Sequence, residues 1–208
     1  MLSNNPVTEE MIRDMAREVR GGIYRIFLHW SGGHYGCNED AYHICIDRNG
    51  EVYINCKSFL SFKAHTYMHN TGAIGIALLC GYEGQCWTPA GKDASRLDVA
   101  YPGDRPVRTG CPVIDYGEEP PARKQIEAMA KIVAILCDEL CLPVEEDTVM
   151  THCEIAFADG YGPGSGDPDM RWDLWFLPEP GAPGGVLFPG GLLLRAKARY
   201  YLDTAAAG

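Results

Sequence analysis

The sequence predicts an α/β fold, a central mixed β-sheet flanked by helices. Three observations predict it. Two apolar runs, 24–31 and 73–80, read as strands, and the second is apolar on both faces, as a central strand covered on two sides must be. Residues 42–54 place Asn49-Gly50 between two β-rich runs, a strong short-range hairpin signal. Residues 121–142 carry Ile126, Met129, Val133, Leu136 and Leu140 at alternating spacings of three and four, which gives a helix one core-facing side.

The remaining elements follow in order. Thr8 is an N-cap candidate for a helix over 8–19, with Glu9 and Glu10 in its first turn and Met11, Ile12, Met15 and Val19 as its apolar stripe. Gly21-Gly22 ends it and feeds the strand 24–31, which closes on His29 before Gly32-Gly33. Residues 81–120 are rich in Gly and Pro, without a periodic element, and read as a long loop insertion. Pro121 suits the first turn of the 121–142 helix, and Pro143 stops it. Val149–Cys153 reads as a short strand or strand end. A Gly- and Asp-rich loop, 159–169, leads into an aromatic short helix at 170–177. Residues 178–191 read as a Pro/Gly linker and 192–203 as a final amphipathic helix. The expectation is one domain over 1–208.

Composition limits the function classes. The chain has 208 residues, 46% of them hydrophobic, which is enough for one sizeable core. Its net charge of −10 argues against nucleic acid as a partner, because phosphate binding needs clustered Lys and Arg. No run approaches the roughly 18–20 apolar residues of a membrane span. The first residues lack the basic and apolar regions of a secretory signal, so the expectation is cytoplasmic synthesis, with release by lysis or a signal-independent route. The nine Cys are odd in number and form no Cys-x-x-Cys pair, so they read as reduced thiols.

The residues with chemistry to offer are His29, His65, His69, His152, Asp167, Asp169 and Tyr42. His29 and His152 both stand at the ends of apolar strand-like runs, and such ends can lie side by side in a mixed sheet. A loop carrying Asp167 follows His152. Two imidazoles and a carboxylate, with one position left for water, make a catalytic zinc geometry, although there is no His-Glu-x-x-His to fix it.

Taken together, FLHWSGG (27–33), AYHICIDRNGEVY (41–53), AHTYMHNTGAIGIALL (64–79), ARKQIEAMAKIVAIL (122–136), THCE (151–154) and GDPDMRWDL (166–174) resemble the zinc-dependent N-acetylmuramoyl-L-alanine amidases. That family shares its fold with the peptidoglycan recognition proteins. The resemblance covers about residues 23–177. It implies zinc-dependent hydrolysis of the amide between N-acetylmuramic acid and L-alanine, with peptidoglycan or a muropeptide as the partner. By position, His29, His152 and Asp167 match the metal ligands, with Asp169 a rival for the third. Tyr42 matches the tyrosine that stabilises the reaction at the carbonyl. His65 and Asn70 match the loop that walls the groove.

The departures are as informative. Ala77 stands where some relatives have Glu, and Ser165 where many have Lys. Ser165 can hydrogen-bond the oxyanion or the water in its place, and Glu154 and Asp169 are the carboxylates nearest by sequence for the proton. The resemblance implies a lytic enzyme first. A non-catalytic peptidoglycan-binding module and a cytosolic muropeptide-recycling amidase are the alternatives. Zinc content separates the binding module from the enzymes.

Overall fold

A computed structural model describes residues 5–87, 113–166, 171–178 and 187–206. Its centre is a five-stranded sheet in the order β3-β2-β4-β1-β7. Strand β1 (Arg25–Trp30) lies parallel between β4 (Ala73–Leu78) and β7 (Val149–Thr151). Strand β2 (Ile44–Ile46) runs parallel to β4 on its other side, and β3 (Val52–Ile54) closes the edge antiparallel to β2. The sheet is therefore mixed, as the sequence predicts. The β2–β3 turn is held by Asp47, whose Oδ1 accepts from the N–H groups of Asn49 and Glu51 at 2.8 and 3.0 Å.

The two faces of the sheet differ because side chains alternate along each strand. On one face Ile26, Leu28, Ile44, Ile46, Ile74, Ile76 and Leu78 join the main core with helix α2 (Arg123–Leu140). Helix α1 (Glu9–Glu18) and helix α4 (Gly190–Ala206) both pack on α2. Gln125, fully buried, fastens α2 to the strand ends by donating from Nε2 to the carbonyls of Ile46 and Leu79 at 3.0 and 3.1 Å. That bond pair satisfies carbonyls that burial would otherwise leave at a cost.

The opposite face holds small residues where the first holds large ones. Strand β4 presents Ala73, Gly75 and Ala77 here, in register with Arg25, Phe27 and His29 of β1. The trough this leaves is filled by the loop between β3 and β4. The His65 ring lies so close to Gly75 that an added Cβ would stand 2.5 Å from it. Helix α3 (His152–Ala158) covers the β1–β7 side, with Ile155 against Phe27 and Ala73.

Three expectations change. His152 does not end a strand; it opens α3. Its predecessor Thr151 is the N-cap, accepting from the Glu154 N–H while the Glu154 carboxylate accepts from the Thr151 N–H. The ends of the 81–120 loop are not structureless: β5 (Gln85–Trp87) pairs with β6 (Val113–Asp115). The described part of the 170–177 segment, residues 171–177, does not form a helix. Trp172 to Trp175 make a turn, Leu174 takes φ 56°, and the chain enters β8 (Phe176–Pro178), which pairs with β9 (Leu187–Pro189) inside the segment expected to be a linker. Gly190 allows this turn, since a Cβ there would sit 1.9 Å from the Leu174 carbonyl oxygen.

Replacing Gly75 with alanine drives a methyl into the His65 ring. The expected loss of stability is about 1–3 kcal/mol, the usual range for overpacking a filled core. It would be read as a lower urea midpoint at unchanged slope. An unaltered midpoint would mean that the contact is loose.

Candidate metal centre

The register of the sheet assembles the site. Leu28 pairs with Thr151 across β1 and β7, so the residues that follow them, His29 on β1 and His152 at the start of α3, arrive at the same level. Their rings stand 4.7 Å apart. Each Nδ1 faces the same atom, Oδ2 of Asp173, at 3.2 Å for His29 and 3.1 Å for His152. One ligand atom from each of the three residues falls within 4.8 Å of the others. Separations near 3.1–3.2 Å suit neighbouring ligands of a tetrahedral ion, whose edges are about 3.3 Å for bonds near 2.0–2.1 Å.

Asp173 comes from a turn that the rest of the fold holds firmly. Trp172 packs edge-on against Trp30, with ring centroids 4.5 Å apart. Trp175 donates its N–H to the Trp172 carbonyl, and Tyr116 donates its hydroxyl to the Phe176 carbonyl at 2.8 Å. The carboxylate is thereby carried to the strand ends from a part of the chain 21 residues beyond His152.

The electrostatics prepare the three groups as ligands. Burial pushes His29 down to about 4, against the pull of Asp173, so its ring is neutral at physiological pH. Burial opposes the charge on Asp173, yet His152 and His29 outweigh it and hold the carboxyl well below its usual range. Two imidazoles and one carboxylate are a donor set for a divalent cation.

Beside the cluster is a cavity of about 350 Å³, lined by Trp30, Ser31, Tyr42, His152, Arg171, Trp172 and Asp173, among others. Tyr42 packs its ring on His29 with centroids 5.0 Å apart and directs its hydroxyl at the Trp30 carbonyl, 3.4 Å away. Burial, then the Asp173 charge, raises its pKa far above neutrality, so the phenol stays a hydrogen-bond donor.

The other residues singled out from the sequence fall as follows. Asp167 and Asp169 lie outside the described residues. Ser165 is exposed in the 161–166 loop, with its N–H donating to the Gly162 carbonyl. His65 is buried behind the site rather than on an open groove wall. Asn70 turns inward too, and its Oδ1 accepts from the N–H groups of His65 and Thr66 at 3.0 and 2.7 Å. His69 bridges to Asp159 at 2.9 Å. Glu154 is committed to its cap and to Arg195, which grips both carboxylate oxygens at 2.8 Å, so it is taken as a structural residue. Ala77 lies level with His29 and packs with Cys45 and Leu79.

Asp173 is the residue that sequence reasoning missed. It lies in GDPDMRWDL, one position past Trp172, and its signal was an acidic side chain flanked by Trp172, Leu174 and Trp175. A charge in so apolar a run must find partners when buried.

Fold and cluster together define an α/β domain with a two-histidine, one-carboxylate candidate metal site at the ends of parallel strands. The chain belongs to the N-acetylmuramoyl-L-alanine amidase family, whose sequence model matches residues 13–168. The match takes in His29, Tyr42 and His152 and ends before Asp173. No curated protein matches the chain.

The neutral histidines give the site a pH signature. Burial, first among the causes, depresses His29 and His43 to about 4 and His65 to about 2, and the neighbouring His rings lower His65 further. The unfolded chain titrates near 6.5 and binds more protons below that value. Stability present at neutral pH is therefore lost as pH falls from about 6.5 towards 4. Urea unfolding of chelator-stripped protein should show a clearly lower midpoint at pH 5 than at pH 7. A flat profile would contradict the neutral assignment.

Proposed function

We propose that the chain hydrolyses the amide bond between N-acetylmuramic acid and L-alanine in peptidoglycan, with a zinc ion held by His29, His152 and Asp173. The observation that carries this reading is the convergence of the two Nδ1 atoms on Asp173 Oδ2 in a member of an amidase family. When bound, zinc supplies a Lewis acid for the scissile carbonyl and an activated water at neutral pH.

The residues of the chain account for the rest. The neutral ring of His29 can serve as a ligand without first losing a charge-bearing proton. Tyr42, held protonated at the cavity, donates a hydrogen bond to the oxygen on which negative charge develops. Trp30 and Trp172 form an apolar wall that limits water around the reacting carbonyl. Ala77 and Ser165, where the recycling amidases carry Glu and Lys, favour a cell-wall-lytic role over recycling. In that role the enzyme reaches the wall by lysis of the producing cell or by a signal-independent route.

Asp173→Ala and His29→Ala should each abolish release of stem peptide and remove bound zinc, whereas Asp167→Ala should keep both. Mass spectrometry of digested peptidoglycan, looking for peptides with a free L-alanine amine, checks the first effect, and metal analysis the second. Zinc lost in Asp167→Ala but kept in Asp173→Ala would transfer the ligand to Asp167.

Tyr42→Phe should lower kcat about 10²–10³-fold with zinc retained, as expected for loss of one oxyanion donor. Unchanged turnover would remove Tyr42 from the chemistry. Peptidoglycan binding with no peptide release from zinc-loaded protein would establish a binding module instead.

A further inference from the structure

We infer that Thr66 is a positioning residue for His29, the buried hydroxyl that fixes the ring's tautomer and orientation for metal binding. The inference rests on the zinc reading above and adds a residue that neither the family match nor the ligand set assigns.

The two ring nitrogens of His29 face different partners. Nδ1 faces Asp173, so it is the nitrogen presented to a metal. A neutral imidazole that ligates through Nδ1 carries its proton on Nε2. That nitrogen is fully buried with its ring, and its described partner is Thr66 Oγ1, 3.3 Å away. An imidazole N–H buried without an acceptor would be costly, and Thr66 provides the acceptor.

The hydroxyl must then direct its own proton elsewhere. Thr66 Oγ1 is 2.9 Å from His65 Nδ1, which can accept it. With the Thr66 hydroxyl donating to Nδ1, His65 carries its proton on Nε2, which is buried and has no hydrogen-bond partner among the described residues, a cost that metal binding at His29 must offset. When His29 ligates through Nδ1, the proton order runs from His29 Nε2–H to Thr66 Oγ1, and from the Thr66 hydroxyl to His65 Nδ1; with His29 protonated on Nδ1 towards Asp173 it is reversed. The heavy atoms of the relay are anchored separately. Asn70 Oδ1 accepts from the N–H groups of both His65 and Thr66. The His65 ring is seated against Gly75, and Thr66 is only 2% exposed.

A residue that holds a metal ligand through its second nitrogen acts on affinity as much as on rate. Thr66→Val keeps the branched shape and removes the hydroxyl; Thr66→Ser keeps the hydroxyl. In the full chain, zinc affinity measured by competition with a chromophoric chelator should fall about 10–100-fold in Thr66→Val and stay within about threefold in Thr66→Ser. In zinc-loaded wild type, ¹H–¹⁵N spectra should place the His29 proton on Nε2 in slow exchange with water. In Thr66→Val that signal should shift and exchange faster.

Wild-type affinity in Thr66→Val, with zinc lost in His29→Ala, overturns the relay and leaves the metal reading standing. Wild-type protein that binds no zinc overturns both. Should Thr66→Val fail to fold, the wild-type spectrum decides alone: a His29 protonated on Nδ1, or an unprotected Nε2–H, overturns the assignment.

Discussion

The parallel pairing of β1 with β7 is the constraint on which the rest depends. It brings the end of one strand, His29, level with the first residue of the helix that follows the other, His152. A slip of one residue in that pairing would take the two imidazoles out of level, and a slip of β1 in its own alternation would turn His29 into the helix-packed core. The register is specified because the two faces demand different sizes. Large aliphatic side chains meet α2 on one face, and Ala73, Gly75 and Ala77 leave a shallow trough on the other. Neither set fits in the place of the other.

The trough determines the electrostatics. Its small residues admit His65 and Thr66 over the sheet, and these close His29 and His43 away from water. Closure makes the charged forms of these rings unfavourable, so His29 and His43 stay neutral beside the ionised Asp173. His43 shows the same economy of partners: Nδ1 accepts from the Gly75 N–H and Nε2 donates to the Ser61 carbonyl, so that its tautomer is set by backbone alone. A buried neutral ring beside a carboxylate is unfavourable to a proton. That effect arises from packing as much as from the identity of the ligands.

Much of this was legible in the chain. The strands 24–31 and 73–80, the Asn49-Gly50 hairpin and the 121–142 helix follow from periodicity and turn chemistry, which are local. The place of His29 near the end of its strand followed as well, whereas His152 opens a helix instead of ending a strand. The approach of Asp173 to the two histidines was not legible, because local pattern points to Asp167 and Asp169 in the Asp-rich loop and says nothing of where Asp173 lies. What brings Asp173 there is distant: Trp172 on Trp30, the Tyr116 hydroxyl on Phe176, and the close approach allowed by Gly190. The inward turn of His65 and Asn70 was not legible for a related reason. A polar loop next to a strand reads as surface until Gly75 reveals the space in which the His65 ring can lie.

The missing Glu and Lys also look different once the packing is known. Ala77 is fully buried and clusters with Cys45 and Leu79, with Tyr42 and Tyr53 packed alongside, so a longer acidic side chain there would enter an apolar, filled cluster. Tyr42 cannot replace a base, because burial and the neighbouring Asp173 charge keep its proton in place. It can only donate. Among the described residues lining the cavity, Asp173 is the one carboxylate, and its low pKa favours the ionised form that binds a cation. Under the amidase mechanism proposed above, such a site gains more from charge placement around the carbonyl than from a strong base. In that balance, the orientation of each ligand ring governs how well the charges are placed.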